Sequence, residues 1–115
     1  QVVFVSEKDG KRRIPIVIGP LEATAIDRAV KGLSFPRPLT HDLLLTVIET
    51  LGRRLSEVHI VDLRECTFYA ELLLTAKNGR TATIDCRPSD ALALLARVPG
   101  IPLLVSEAVL AEAGR

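Results

Sequence analysis

The chain has 115 residues, 48% hydrophobic and 25% charged, which suits one globular domain with a single core. Fifteen Lys and Arg against 14 Asp and Glu leave a net charge of +1, which argues against a protein built to hold nucleic acid by bulk charge. Aromatic content is 3%, with no obvious stacking platform for unpaired bases, and no apolar run approaches the roughly 20 residues of a membrane span.

Gln1-Val2-Val3-Phe4-Val5 lacks the basic region and small-residue cleavage site of a signal peptide, so a cytoplasmic protein is expected. The segment reads as the inside of an alternating run, and one more strand is expected before it. Phe4-Val5, Lys8-Asp9-Gly10-Lys11 and Ile14 to Ile18 read as strand, turn and strand, because Asp-Gly favours a hairpin. Pro15 marks an edge strand or a bulge. A helix is predicted from about Pro20 to Lys31, stopped by Gly32. Ser34-Phe35-Pro36-Arg37-Pro38-Leu39 must be extended and stiff, since each proline fixes its own backbone and restricts the residue before it.

Thr40 reads as the N-cap of the next helix. Leu43, Leu44, Val47, Ile48 and Leu51 then recur at helical spacing until Gly52. Val58 to Leu63 alternates as a strand, and Thr67 to Ala76 with Arg80 to Cys86 forms a hairpin around Asn78-Gly79. Pro88 to Arg97 is apolar on most sides, which predicts a buried helix. Pro99-Gly100 breaks it, Ile101 to Val105 is a last strand, and Ser106 caps a short helix ending near Gly114.

Gly19-Pro20-Leu21-Glu22-Ala23 and Arg87-Pro88-Ser89-Asp90-Ala91 correspond: each follows a hairpin, with proline first in the helix and an acid two residues on. This suggests a duplicated ββα unit, and an α+β domain over residues 1–115 in which helices pack on one mixed sheet. The two cysteines, Cys66 and Cys86, make neither a disulfide framework nor a zinc spacing and read as small buried hydrophobes. Lys11-Arg12-Arg13 and Arg53-Arg54 read as solvated turns, and His59 as structural.

Polar chemistry gathers at three helix starts. In Pro36-Arg37-Pro38-Leu39-Thr40-His41-Asp42, Arg37 and Thr40 could bind phosphate beside free helix N–H groups, and His41 could serve as general acid or base. In Asp85-Cys86-Arg87-Pro88-Ser89-Asp90, Asp85 and Asp90 could orient water or hold a divalent cation, with Arg87 and Ser89 as further phosphate contacts. Glu22 occupies the corresponding place in the first unit. The ordinary alternative for each acid is a helix cap, a dipole partner or an ion pair.

These blocks, with Arg13-Ile14-Pro15-Ile16-Val17-Ile18-Gly19 before them, resemble the bifunctional nuclease family along nearly the whole chain. The resemblance implies cleavage of both DNA and RNA by an α+β domain that often self-associates, so a homo-oligomer is expected. It supplies no catalytic mechanism. The site expected from the residues has His41, Asp85 and Asp90 as catalytic groups and Arg37, Thr40, Arg87 and Ser89 on phosphate. Asp85, Asp90, Asp42 and Glu22 are the candidate ligands for Mg²⁺ or Mn²⁺. The alternative is a non-catalytic interaction module, or one that binds a phosphorylated ligand with the same helix starts.

Overall fold

In the computed structural model, which describes residues 1–115, β1 (Val2–Ser6) and β2 (Arg13–Val17) pair antiparallel, Val2 opposite Val17 and Ser6 opposite Arg13. Alternation turns Ile14 and Ile16 inward, where both are buried. Arg12, expected in a solvated turn, instead donates from Nε to Glu7 at 2.9 Å and from Nη1 to Glu107 at 2.8 Å. This ties the hairpin turn to the far end of the chain.

The chain continues as α1 (Pro20–Val30), α2 (Thr40–Thr50), β3 (Arg53–Arg64), β4 (Thr67–Ala76), β5 (Thr81–Cys86), α3 (Pro88–Leu95), β6 (Leu103–Val105) and α4 (Glu107–Ala113). Strands β5-β4-β3-β6 form a mixed sheet, antiparallel except for the β3–β6 pair. The first hairpin forms a two-stranded sheet of its own rather than joining the mixed sheet as expected. Both ββα units are present in order, but their strands do not pair with each other. No helix is long and apolar enough to cross a membrane.

Strand β3 runs five residues further toward the N-terminus than its alternation predicts, taking in Arg53 and Arg54. The register shift between Leu55 and Glu57 explains this, because the bulge resets which face a residue points to; a second shift lies between Ile60 and Asp62. The turn from β3 to β4 holds Glu65 and Cys66 at φ 49° and 63°. Cys66 is therefore exposed, not buried as expected. Cys86 does pack against the core, beside Leu94 and Ala70.

Two apolar clusters share α3. Leu55, Val58, Leu72 and Leu74 of the mixed sheet pack on Ile48 of α2 and on Ala91 and Leu94 of α3. Ile14, Ile16 and Ile18 of the hairpin segment meet Ile60, Val109 of α4 and Leu92 of α3. An eight-residue helix that feeds both clusters must be apolar nearly all round, which is the pattern its sequence carries.

Candidate functional site

Three helices begin beside one another because α1 and α2 both pack on α3. Helix α2 starts one residue away from the expected cap. Leu39 is the N-cap and Thr40 the first helical residue, and Asp42 accepts the Leu39 backbone N–H at 3.2 Å. Leucine has no oxygen to accept the first helical N–H groups, and the Asp42 contact is the other half of a capping box, an acid three residues on that takes the N-cap N–H. Helices α1 and α3 both start on proline, after Gly19 and Arg87, with no side-chain cap. Their first-turn acids, Glu22 and Asp90, meet the same guanidinium.

Arg87 donates from Nε to Asp90 Oδ2 at 2.9 Å, from Nη2 to Asp90 Oδ1 at 3.2 Å, and from Nη1 to Glu22 Oε1 at 3.2 Å. The Arg87 fork holds the Asp90 carboxyl below the ordinary Asp range, helped by His41. His41 Nε2 lies 3.1 Å from Asp90 Oδ1. An ionised carboxylate only accepts, so Nε2 carries a proton, and in the neutral form of the ring the lone pair is on Nδ1. Glu22, Arg87, Asp90 and His41 thus form one hydrogen-bonded chain across the three helix starts. They line a groove of about 810 Å³ with Thr40, Arg28 and Arg97.

The other expected residues separate from this chain. Arg37 is exposed and makes no ion pair. Ser89 is buried and faces a second groove, of about 380 Å³, on the far side of Arg87 and Glu22, where Cys66, Thr67 and Phe68 also lie. Asp85 does not line the His41 groove. It stands in register with Glu71, itself opposite His59, and borders with Asp90 an apolar cavity of about 310 Å³ walled by Leu44, Ile48, Ile84 and Leu94. His59 bonds Glu57 at 2.7 Å, in keeping with its structural reading. Burial pushes the Cys86 thiol up to about 11, with Asp90, Asp85 and Glu71 adding to the effect, which leaves it unreactive near neutral pH.

No group of three or more His, Cys, Asp or Glu side chains is gathered to hold a metal ion. Glu22 and Asp90 are joined through Arg87, a cation standing where a metal shared by them would sit. Asp42 already accepts from Leu39 and from Arg97. The carboxylates in this arrangement do not fit Mg²⁺ or Mn²⁺.

Arg97, two residues beyond α3, was not singled out from the sequence. Its side chain is only 8% exposed. It donates from Nε to Asp42 Oδ1 at 2.9 Å, and from Nη1 to Ala93 O at 2.7 Å and Ala25 O at 3.2 Å. One guanidinium so links α2, α3 and α1 underneath the groove. The only sequence signal was a lone charge closing an apolar helical run.

The bifunctional nuclease domain model matches residues 2–115. An uncharacterized protein of Mycobacterium tuberculosis is 49% identical over 113 residues, covering 98% of this chain and 66% of that protein. The chain thus spans about two thirds of the length of that relative. Bifunctional nuclease 1 of Oryza sativa subsp. japonica is 24% identical over 94% of this chain and 33% of its own length. Bifunctional nuclease 2 of the same plant is 26% identical over 84% of this chain and 30% of its own length.

Proposed function

We propose that this chain, which belongs to the bifunctional nuclease domain family, hydrolyses phosphodiester bonds in DNA and RNA at the groove shared by α1, α2 and α3. One observation carries the reading: the His41–Asp90–Arg87–Glu22 chain lines an open groove. Asp90 fixes the His41 ring through Nε2 and would stabilise the imidazolium, leaving Nδ1 to take a proton from the attacking water. The same ring, once protonated, could return a proton to the leaving oxygen. Thr40 lines the groove and Arg37 stands just before α2, so both remain the proposed phosphate contacts there. Contacts to phosphate carry no base information, which suits a substrate range spanning DNA and RNA.

A second reading, a module that binds a phosphorylated ligand without turnover, is favoured by a different observation. Glu22, Asp42 and Asp90 are each held by an arginine, as in a structural ion-pair network.

Cleavage of labelled DNA and RNA, with Mg²⁺, with Mn²⁺ and with EDTA, separates the two readings. His41→Ala is expected to lose about 100-fold or more, the scale of a missing general acid–base group, with its fold intact by circular dichroism. Asp85→Asn, off the groove, serves as the comparison, and a large loss there would move the chemistry toward the apolar cavity. Absence of activity in the parent would leave the binding module, whereas activity unchanged in His41→Ala would place the cleavage at another site or in a contaminant. Loss in EDTA would require a metal that the carboxylates as arranged do not provide for.

A further inference from the structure

We propose that Phe35 and Arg28 form a subsite for one nucleotide beside the cleaved bond, with its base on the ring and its phosphate on the guanidinium. The proposal rests on the nuclease reading of the same groove, and deepens it.

Three arginines line the grooves at the helix starts, and two are committed: Arg87 to Asp90 and Glu22, Arg97 to Asp42 and two backbone carbonyls. Arg28, in the last turn of α1, lines both hollows and has the Phe35 ring as its side-chain partner. Its guanidinium lies 5.3 Å from the centre of the Phe35 ring, within cation–π range. That contact leaves its N–H donors available at the groove wall.

Phe35 is 42% exposed, so much of the ring faces solvent. With Arg28, Leu39 and Arg97 it lines a cavity of about 280 Å³, and those three residues also line the His41 groove. The two hollows therefore adjoin. Pro36 and Pro38 stiffen the chain between Phe35 and α2, so the backbone that carries the ring is restricted before a ligand arrives, which lowers the ordering cost of binding. An apolar ring next to a free cation matches the repeating chemistry of a nucleic-acid strand, base then phosphate. Composition alone offered no stacking platform, but a single ring placed at the groove is sufficient for one base.

Fluorescence anisotropy with a short labelled single strand tests this, in His41→Ala protein so that the strand stays whole. The probe is paired with a strand of equal length that is abasic at its central positions. Phe35→Leu keeps an apolar side chain but removes the π face. It is expected to weaken the base-bearing strand roughly 5-fold or more and to spare the abasic one. Arg28→Gln is expected to weaken both strands and to flatten the salt dependence by about one phosphate contact. Equal affinity of Phe35→Leu and its parent for the base-bearing strand would overturn the proposal, as would an equal loss on both strands. Because the readout is binding, a failure to cleave counts against the nuclease reading and leaves the subsite to be judged by affinity alone.

Discussion

Helix α3 buries Ser89, Ala91, Leu92, Ala93 and Leu94, while α1 buries none of its residues, although Pro-x-acid opens both. The shared opening sets where each helix starts and which way its first-turn acid points; it does not set how deep the helix lies. Depth follows from what the rest of each helix offers. Ala91-Leu92-Ala93-Leu94 presents apolar surface to both clusters, whereas α1 alternates Asp27, Arg28 and Lys31 with Ala23 and Ile26. The result is a buried helix with a more exposed one beside it. Glu22 and Asp90 reach one arginine from these two backgrounds.

The largest effects should come from breaking that contrast in the core. Leu94, 0% exposed, belongs to the cluster beneath the mixed sheet, and Leu21, 82% exposed, is the first side chain past Pro20. Leu94→Ala should destabilise by about 2–5 kcal/mol through lost burial and a residual cavity. Leu21→Ala should stay within about 0.5 kcal/mol. Urea denaturation of both proteins checks this; similar losses would mean that α1 is covered in solution by something outside this chain.

Arg97 comes next, because it joins the two helices. Arg97→Ala removes the guanidinium donor from the Ala25 and Ala93 carbonyls and from Asp42 Oδ1. A loss of about 1–3 kcal/mol is expected, the cost of stranding acceptors near the interior. Half-exposed Asp42 can recover some of it from water. Arg97→Lys should recover only part, since an ammonium cannot reproduce the planar fork. If Arg97 holds α2 in place, amide exchange should quicken at the starts of α1 and α2 before it does in β3 and β4. Uniform quickening would make Arg97 a general stabiliser instead.

These contacts explain why the fold was more legible than the site. Hairpin turns at Asp9-Gly10 and Asn78-Gly79, prolines at helix starts and glycines after helices are local signals, and the local structure follows them. Where a residue's role depends on distant partners, local reading falls short. Thr40 has the chemistry of a cap, but Leu39 takes that position because Asp42 reaches back to it. The bulge between Leu55 and Glu57 hid the first part of β3. Asp85 and Arg87 were expected at one site, yet Arg87 turns to Glu22 and Asp90 and Asp85 does not line their groove. The His41–Asp90 bond joins residues 49 apart in sequence, and nothing in either segment announces it. Arg97 and Arg28 went unremarked because isolated arginines have no spacing to read.

The smallest effect expected is electrostatic, and it separates the two matching acids. The Arg87 guanidinium, and to a lesser degree His41, holds the Asp90 carboxyl below its ordinary value. In the unfolded chain the same group takes up its proton near the usual value of about 3.9. Between the two, the unfolded state binds more protons, so stability falls as pH falls. The contribution is complete above the unfolded value and is lost as pH drops through the lowered one. Arg87 is largely exposed, so solvent and salt weaken the pair. Asp90→Asn should therefore show a shallower fall in melting temperature from about pH 5 to about pH 3 than the parent, with the gap narrowing in high salt. Glu7 and Glu107, both held low by Arg12, titrate alike in the two proteins and cancel. Glu22→Gln removes the single Arg87 contact where Asp90→Asn disturbs a two-pronged one, so its loss of melting temperature at neutral pH should be the smaller of the two. Equal changes would mean that Arg87 divides its charge evenly between the two helices, and that the first-turn acids of the buried and the exposed helix are interchangeable at this site.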